Sequence, residues 1–352
     1  MSDDDFQITV SRNFPAWLAQ QKTSIAFTHP PLKVFLIGLK RNGQLSIYER
    51  TFPRCLGIAG RDSDTIFVTS RHQIWRLENG LRRDQLVEDE YDRQFIPRKV
   101  YTTGYMGTHD VAVDKDGRLI FVNTRFGCLA TVSDEVSFTP LWRPNHLKNV
   151  SFKEAGDRCH LNGLAMKDGQ PAYVTSVSQT DVIDGWRDRR KGGGVVIDVP
   201  ANEVVCTGLS MPHSPRWYRG KLWLTNSGTG HFGFVDFARG VFEPVAWAPA
   251  FLRGLCFVGD YAVVGASRPR EGDVYSGLGL DEQLRAHNAT ARMGLFVINI
   301  NTGNIENWLF IESDLREVYD AIALPGARAP MAVGIVSDEI DTTYIYDSAL
   351  RP

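Results

Sequence analysis

One alternation of apolar and polar residues recurs along the chain. Each copy has a short apolar run, a polar or glycine-containing turn, and a second apolar run that ends in small polar residues. The stretches HDVAVDKDGRLIFVNT, from His109, and HSPRWYRGKLWLTNS, from His213, show the pattern most clearly. Further copies begin at Arg54, Asn162, Arg253 and Asp320. The copies start roughly 50 residues apart, a spacing typical of the four-stranded blades of a β-propeller.

Pairs of β-rich runs follow most copies and supply the outer half of each blade. Residues 194–209, 232–247 and 294–311 each contain two such runs joined by a short turn, which is typical of a β-hairpin. We therefore predict an all-β fold, with one β-propeller domain over residues 1–352. Six blades of four antiparallel strands are expected, with seven blades as the alternative. No helix of useful length is predicted.

The two ends of the chain are predicted to share one blade. Residues 24–28, 33–39 and 45–52 are interpreted as three strands that lack an inner strand before them. The copy at Asp320 has an inner strand but no clear hairpin after it. Pairing of the N- and C-terminal strands closes the ring and removes free sheet edges.

Two stretches without strand periodicity interrupt the repeats. They are SQTDVIDGWRDRRKGG, within 178–193, and SRPREGDVYSGLGLDEQLRAHNATAR, within 267–292. Long insertions in a compact domain often form lids or walls of binding sites. The sequence leaves two interpretations open, a functional wall or a solvated loop.

Composition restricts the class of protein. The chain of 352 residues is 43% hydrophobic and 23% charged, with a formal net charge of −2, which is typical of a globular protein with a large core. A charge near zero gives no general attraction to nucleic acid. The acidic N-terminus lacks the pattern of a secretory signal, and no window is apolar enough to span a membrane, so we predict a cytoplasmic protein without nucleic-acid or membrane partners. Five scattered cysteines without a C-x-x-C pair are expected to be reduced thiols.

Polar residues stand at the start of every copy. The first strand of each propeller blade lines the central channel, so these starts are expected to meet at one mouth. Aligning the copies on their apolar triplets places six polar residues there: Arg54, His109, Asn162, His213, Arg253 and Asp320. The ends of the second strands and neighbouring positions add Arg71, Asn123, Arg125, Thr175, Asn226, Arg268, Asp110, His160 and Cys55. Converging arginines suit carboxylate, phosphate or sulfate groups.

Three histidines of this mouth suggest a metal site. His109, His160 and His213 come from three consecutive copies, and Asp320 or Asn162 offers an oxygen. Three imidazoles with an open position suit zinc, iron, copper or manganese. The alternative is that the histidines act as general acid and base without a metal. The remaining histidines His72, His146, His231 and His287 are interpreted as surface or loop residues.

One stretch resembles a known group of enzymes. HLNGLAMKDGQPAYVTS is similar to the blade motif of the gluconolactonase, regucalcin and paraoxonase group of six-bladed propellers, in which an Asn before Gly-Leu ligates an axial calcium. Asn162 matches that residue. The resemblance implies a Glu and an Asp at two further ligand positions, where this chain has Arg54 and His213. Because calcium prefers oxygen ligands, calcium is less expected than the other metals.

A second resemblance covers most of the chain. TFPRCLGIA, GTHDVAVD, HLNGLAM and SPRWYRGKLWLTNSGTG look like the motifs of a bacterial family of conserved hypothetical β-propeller proteins. This resemblance implies the propeller fold and no established reaction.

Three hypotheses about function follow. The first is an enzyme, either a metal-dependent hydrolase such as a lactonase or an oxygenase, which acts on an anionic small molecule or peptide. Its catalytic residues would be His109, His213, Arg54 and Arg253, with His109, His160, His213 and Asp320 as metal ligands and Asn162, Arg71, Arg125, Asn226, Arg268 and Asp110 as ligand-binding residues. The second is a non-catalytic propeller that binds an anionic ligand or an acidic peptide. The third is a hydrated structural channel whose polar groups satisfy one another.

Overall fold

Antiparallel four-stranded sheets are arranged as the blades of a six-bladed β-propeller. The computed structural model describes residues 6–30, 33–269, 275–312 and 316–346. Within these residues the strands are β1 (Gln7–Val10), β2 (Thr23–His29), β3 (Lys33–Leu39), β4 (Leu45–Thr51), β5 (Ile58–Gly60), β6 (Thr65–Thr69), β7 (Gln73–Asn79), β8 (Arg93–Thr102), β9 (Thr108–Val113), β10 (Leu119–Asn123), β11 (Cys128–Thr131), β12 (Thr139–Trp142), β13 (Leu161–Lys167), β14 (Gln170–Ser176), β15 (Gly194–Asp198), β16 (Glu203–Leu209), β17 (Pro212–Tyr218), β18 (Lys221–Asn226), β19 (His231–Asp236), β20 (Val241–Trp247), β21 (Phe251–Val258), β22 (Tyr261–Ser267), β23 (Gly294–Asn299), β24 (Ile305–Glu312), β25 (Ala321–Pro325) and β26 (Pro330–Ala332).

Blades 1 to 5 follow the chain. They are formed by β5–β8, β9–β12, β13–β16, β17–β20 and β21–β24, with the first strand of each blade nearest the axis. Blade 6 consists of β25 followed by β2, β3 and β4, and Phe27 of β2 pairs with Ala321 of β25. The predicted count of six blades and the predicted closure by N- and C-terminal strands are both confirmed.

The turns that identified the repeats hold the strands in register. In blade 2, the Asp114 carboxylate accepts hydrogen bonds from the backbone N–H groups of Asp116 and Arg118. Gly117 has a φ of 81° in the same turn, a conformation that glycine adopts without steric cost. The following strand β10 is buried along its whole length. A polar turn followed by a continuous apolar run therefore marks the second strand of a blade.

The hydrophobic core lies between the blades. A cluster of buried side chains fills each interface between neighbouring sheets, including Phe67 against Phe121 between blades 1 and 2, and Trp223 with Leu255 between blades 4 and 5. Similar clusters fill the other interfaces and complete the ring. The face-to-face packing of adjacent sheets leaves the first strands to line the axis.

The prediction that no helix of useful length occurs was wrong. Helix α1 (Phe14–Gln21) buries Phe14, Trp17 and Leu18 against the interface of blades 5 and 6. Its eight residues carry Pro15 in the first turn, which is compatible with helix initiation. Helix α2 (Gly279–Ala286) lies within the insertion 267–292, and a short helix α3 (Glu339–Thr342) follows β26. Residues 270–274 of that insertion lie outside the described residues.

Two additional strands cover sheet edges. Strand β1 pairs with the outer strand β24 of blade 5, and β26 runs parallel to the outer strand β8 of blade 1. Covering an outer strand prevents its unpaired backbone groups from pairing with another chain. No helix among the described residues has the length and apolar character that crossing a membrane requires.

Candidate active site

Three histidines meet at one opening of the central channel, where the first strands begin. His109 lies on β9, His160 immediately precedes β13, and His213 lies on β17. One potential ligand atom from each imidazole lies within 4.8 Å of those of the other two. The ring centroids of His109 and His160 are 4.7 Å apart, and those of His109 and His213 are 6.4 Å apart. We call this opening, with its three histidines, the histidine mouth.

The His160 imidazole is held by a carboxylate and an indole. Its Nδ1 lies 2.6 Å from Oδ2 of Asp157, whose Oδ1 accepts the backbone N–H of His160 at 3.0 Å. Trp186 stacks on the other side, with ring centroids 4.2 Å apart. His160 itself has a φ of 54° in the turn that precedes β13. The contact with Asp157 engages Nδ1 and leaves Nε2 for a ligand.

The His213 imidazole is fixed by the neighbouring backbone. Its Nδ1 donates to the carbonyl oxygen of Met211 at 2.9 Å and lies 3.1 Å from the Ser227 hydroxyl. The edge of Phe251 packs against the ring. Burial, and then the positive charge of Arg253, lower the pKa of His213 well below its ordinary value. The neutral imidazole that results is the form that ligates metals.

The His109 imidazole occupies the centre of the cluster. Burial lowers its pKa well below the ordinary value, and His160, His213 and Arg253 add to the shift. Its Nδ1 is buried and has no hydrogen-bond partner among the described residues. Buried polar atoms are nearly always paired in native proteins, so this imidazole nitrogen is a candidate ligand atom.

Arg253 adds a buried positive charge beside the histidines. Its guanidinium forms an ion pair with Glu317 at 2.7 Å and contacts the Tyr275 hydroxyl at 3.2 Å. The guanidinium also lies over the ring of Tyr319, 4.1 Å from the centroid, and Tyr319 packs against His109 with ring centroids 5.3 Å apart. Burial raises the pKa of Tyr319 well above the ordinary value, so this phenol remains protonated at neutral pH.

Both insertions contribute to the walls of the mouth. Trp186, from 178–193, stacks on His160, and Tyr275, from 267–292, contacts Arg253. A buried apolar cluster beneath them joins these two segments to the blades. These contacts favour the interpretation as site walls over that as solvated loops.

Asp110 and Asp320 do not join the histidines. Both carboxylates lie deeper in the channel and bind Arg216: Asp110 at 2.7 Å and Asp320 at 3.2 Å. We call these three residues the axial ion group. Burial raises the pKa of Asp320 to about 7, with Arg216 opposing the shift and Asp110 adding to it. The structure therefore places neither Asp320, the predicted metal ligand, nor Asp110, the predicted ligand-binding residue, at the mouth.

The position of Arg216 was not predicted, because Pro215, Arg216 and Trp217 stand at the place of the apolar triplet in the fourth copy. Arg216 on β17 pairs with the residue three before the end of β18, the second strand of blade 4. Ala112 and Ala165 have the equivalent pairing in blades 2 and 3. Those two positions hold small apolar side chains, and blade 4 has a long cationic one. An arginine in the middle of an apolar triplet was the available signal.

Arg54 also departs from the predicted ring. Strand pairing of β5 starts at Ile58, so Arg54 lies in the preceding turn, exposed, with a φ of 51°. Arg71 is likewise exposed, and the guanidinium groups of Arg71 and Arg125 lie 5.5 Å and 5.6 Å from the ring centroid of Tyr105. These residues lie beside the mouth at blades 1 and 2 rather than on its axis.

The remaining predicted residues have local roles. The Asn162 side-chain oxygen accepts from the Thr175 hydroxyl at 2.7 Å, while its nitrogen is buried without a partner among the described residues. The Asn226 oxygen accepts the Ser210 backbone N–H at 2.7 Å. The backbone N–H of Arg268 donates to the backbone carbonyl of Arg316. The other candidates have local contacts too: His231 bonds to Thr229, Asn123 to Met106, and Cys55 is a buried thiol.

One protein family matches most of the chain. The profile of a family described as "domain of unknown function (DUF4915)" matches residues 12–333. The chain belongs to this family. The resemblance to a propeller family without an established reaction is thereby confirmed. No curated protein sequence matches the chain.

Solved structures are similar to this chain at low sequence identity. A chain of the nidogen–laminin complex is 10% identical with a TM-score of 0.50, and the match covers 87% of this chain and 99% of that one. A Thermus thermophilus protein named as a putative oxidoreductase (glucose dehydrogenase) is 16% identical with a TM-score of 0.45, over 71% and 91% of the two chains. Virginiamycin B lyase from Staphylococcus aureus is 12% identical with a TM-score of 0.39, over 74% and 96%. Such likenesses concern the fold alone.

Proposed function

We propose that this protein is a metal-dependent enzyme that hydrolyses a small anionic molecule at the histidine mouth. The observation that carries the proposal is the convergence of His109, His160 and His213, from three blades, with potential ligand atoms within 4.8 Å of one another. Three protein imidazoles with an open position form a common catalytic metal site.

The surroundings of the histidines fit a metal. Asp157 and the Met211 carbonyl engage Nδ1 of His160 and His213, in the way that outer partners orient metal-bound imidazoles. The buried Nδ1 of His109 has no partner among the described residues. A set of nitrogen donors suits zinc, iron, copper or manganese and does not suit calcium, which prefers oxygen ligands.

Two residues beside the cluster suit ester or lactone hydrolysis. When bound, the metal would polarise the substrate carbonyl and activate a water molecule. Arg253 can stabilise the negative charge that develops on the carbonyl oxygen, and the protonated Tyr319 phenol can donate to the leaving oxygen. In the overall reaction the hydroxyl of water bonds to the carbonyl carbon, the ester C–O bond breaks, and the second hydrogen of water ends on the leaving oxygen. Hydrolysis is proposed over oxidation because it needs no second reactant besides water.

Metal analysis tests the proposal directly. The purified full-length protein is examined by elemental mass spectrometry together with His109→Ala, His213→Ala and the control His287→Ala. His287 is exposed and bonds to Gln283 on helix α2. We expect one transition metal per chain, lost in His109→Ala and His213→Ala and retained in His287→Ala. Folded wild-type protein that stays metal-free after incubation with each metal would exclude the proposed enzyme and favour an anion-binding propeller.

A further inference from the structure

A basic cavity lies beside the histidine mouth at blade 1. Its volume is about 500 Å³, and we call it the blade 1 cavity. It is lined by Pro53, Arg54, Ser70, Arg71, His72, Gln73 and Ile335. Two arginines and a histidine are among these described lining residues, and no acidic residue is.

The two arginines of the cavity have no carboxylate partner among the described residues. Across the part of the chain that the structure describes, neither Arg54 nor Arg71 forms an ion pair or a side-chain hydrogen bond. By contrast, Arg219 and Arg239 pair with neighbouring carboxylates. Two guanidinium groups that share a cavity without an acid repel each other, and an anion between them relieves that repulsion.

The walls of the cavity are held in place before any ligand binds. The backbone N–H and the hydroxyl of Ser70 donate to the Gln73 carbonyl, and the His72 carbonyl accepts the N–H groups of Thr103 and Gly104. Arg71 rests over the ring of Tyr105, 5.5 Å from its centroid. A fixed loop that presents donors binds an anion with less loss of entropy than a flexible loop would.

The cavity lies on the same side of the blades as the start of β9. Tyr105 is half exposed, and the guanidinium groups of Arg71 and Arg125 lie 5.5 Å and 5.6 Å from its ring centroid. Arg125 follows the end of β10, where Asn123 pairs with Thr108, the residue before His109. Arg71, Tyr105 and Arg125 thus connect the cavity with the strand that carries His109.

We infer that the blade 1 cavity binds the terminal oxyanion group, a phosphate or a carboxylate, of a substrate whose reacting bond lies at the histidine mouth. Arg54 and Arg71 would hold the anion through charge-assisted hydrogen bonds, and the apolar side chains of Pro53 and Ile335 would contact the carbon skeleton. The inference that the cavity binds an anion depends on the residues that line it. The placement of the reacting bond rests on the proposed function.

Calorimetric titration of the full-length protein tests the inference. Inorganic phosphate and malonate are titrated separately into metal-depleted protein, and the anion that binds more tightly identifies the group. The double variant Arg54→Gln/Arg71→Gln should bind that anion about a hundredfold more weakly, since each charge-assisted contact contributes about tenfold. Arg82→Gln/Arg83→Gln is the matched control, because it removes the same charge from exposed residues elsewhere on blade 1.

The two proposals fail separately. Unchanged affinity in Arg54→Gln/Arg71→Gln, or wild-type protein that binds neither anion, would overturn the cavity assignment. The cavity assignment would also be overturned if the anion bound only to the metal-loaded protein and not to His109→Ala. Conversely, a wild-type protein that takes up no metal but binds the anion through Arg54 and Arg71 would overturn the proposed enzyme and leave the anion site standing.

Discussion

The histidine mouth and the axial ion group occupy one channel, and both are polar and largely buried. They differ in hydrogen bonding, which is complete in the ion group and incomplete at the mouth. At the mouth, His109 and Asn162 each retain a buried nitrogen without a partner among the described residues. In the ion group, Arg216 donates through Nε and both terminal nitrogens. A complete network stabilises a fold, and an incomplete one is a place for a ligand.

Arg216 links the blades around the axis. Its own strand belongs to blade 4, and its donors reach Asp110 in blade 2, Leu164 in blade 3, Leu255 in blade 5 and Asp320 in blade 6. The Asp320 carboxylate also accepts the backbone N–H of Ile58 in blade 1. One side chain and its acceptor thereby tie all six blades together. A polar axial residue is therefore not by itself evidence of a catalytic role.

Removal of the Arg216 guanidinium should give the largest effect. In Arg216→Gln, two buried carboxylates lose their counter-charge, so we expect the free energy of unfolding to fall by about 3–5 kcal/mol. Urea unfolding followed by circular dichroism measures the change. Arg219→Gln is the control, because it breaks an exposed ion pair with Asp260 and should leave the unfolding midpoint almost unchanged. Equal effects of the two substitutions would mean that the ion group does not stabilise the ring.

A pH-dependent effect should come from Asp320. Its pKa is raised to about 7 by burial, against about 3.9 for an unperturbed aspartate. Between about pH 4 and pH 7 the unfolded chain releases this proton while the folded protein retains it, so folding is weakened as pH rises. The stability of the wild-type protein relative to Asp320→Asn should therefore fall from pH 4 to pH 7 and level off above it. Urea unfolding of both proteins across this range measures the difference, and a rise with pH would show that Asp320 is ionised throughout.

Substitution of Asp157 should have the smallest effect on folding, because its carboxylate contacts His160 at the mouth. Asp157→Asn keeps a hydrogen bond to His160 but removes the carboxylate, so metal affinity should fall by about 10–100-fold while the unfolding midpoint of the metal-free protein hardly moves. Competition with a chromophoric chelator measures the affinity. If Asp157→Asn lowers the stability as much as Arg216→Gln does, the mouth and the ion group contribute alike to folding and the contrast between them is lost.

Much of the architecture was predictable from local patterns. Turns such as that at Asp114 recur along the chain, and they were enough to predict the strand pairs, the count of six and the closure by both chain ends. The convergence of His109, His160 and His213 followed from the same repeat. The helix α1 was missed because an isolated helix of eight residues depends on packing, here of Trp17 and Leu18, more than on a sequence period.

The β-propeller, the order of its strands and the three histidines of one opening follow from local patterns, because hydrophobic periodicity and turn chemistry act over a few residues. The depth of each axial residue does not follow from them. The pairing of each first strand with the second sets that depth, and a shift of one or two residues moved Asp320 away from the histidines and Arg54 off the axis. The aspartate partners of Arg216 lie more than a hundred residues away in the chain, and only closure of the ring brings those charges together.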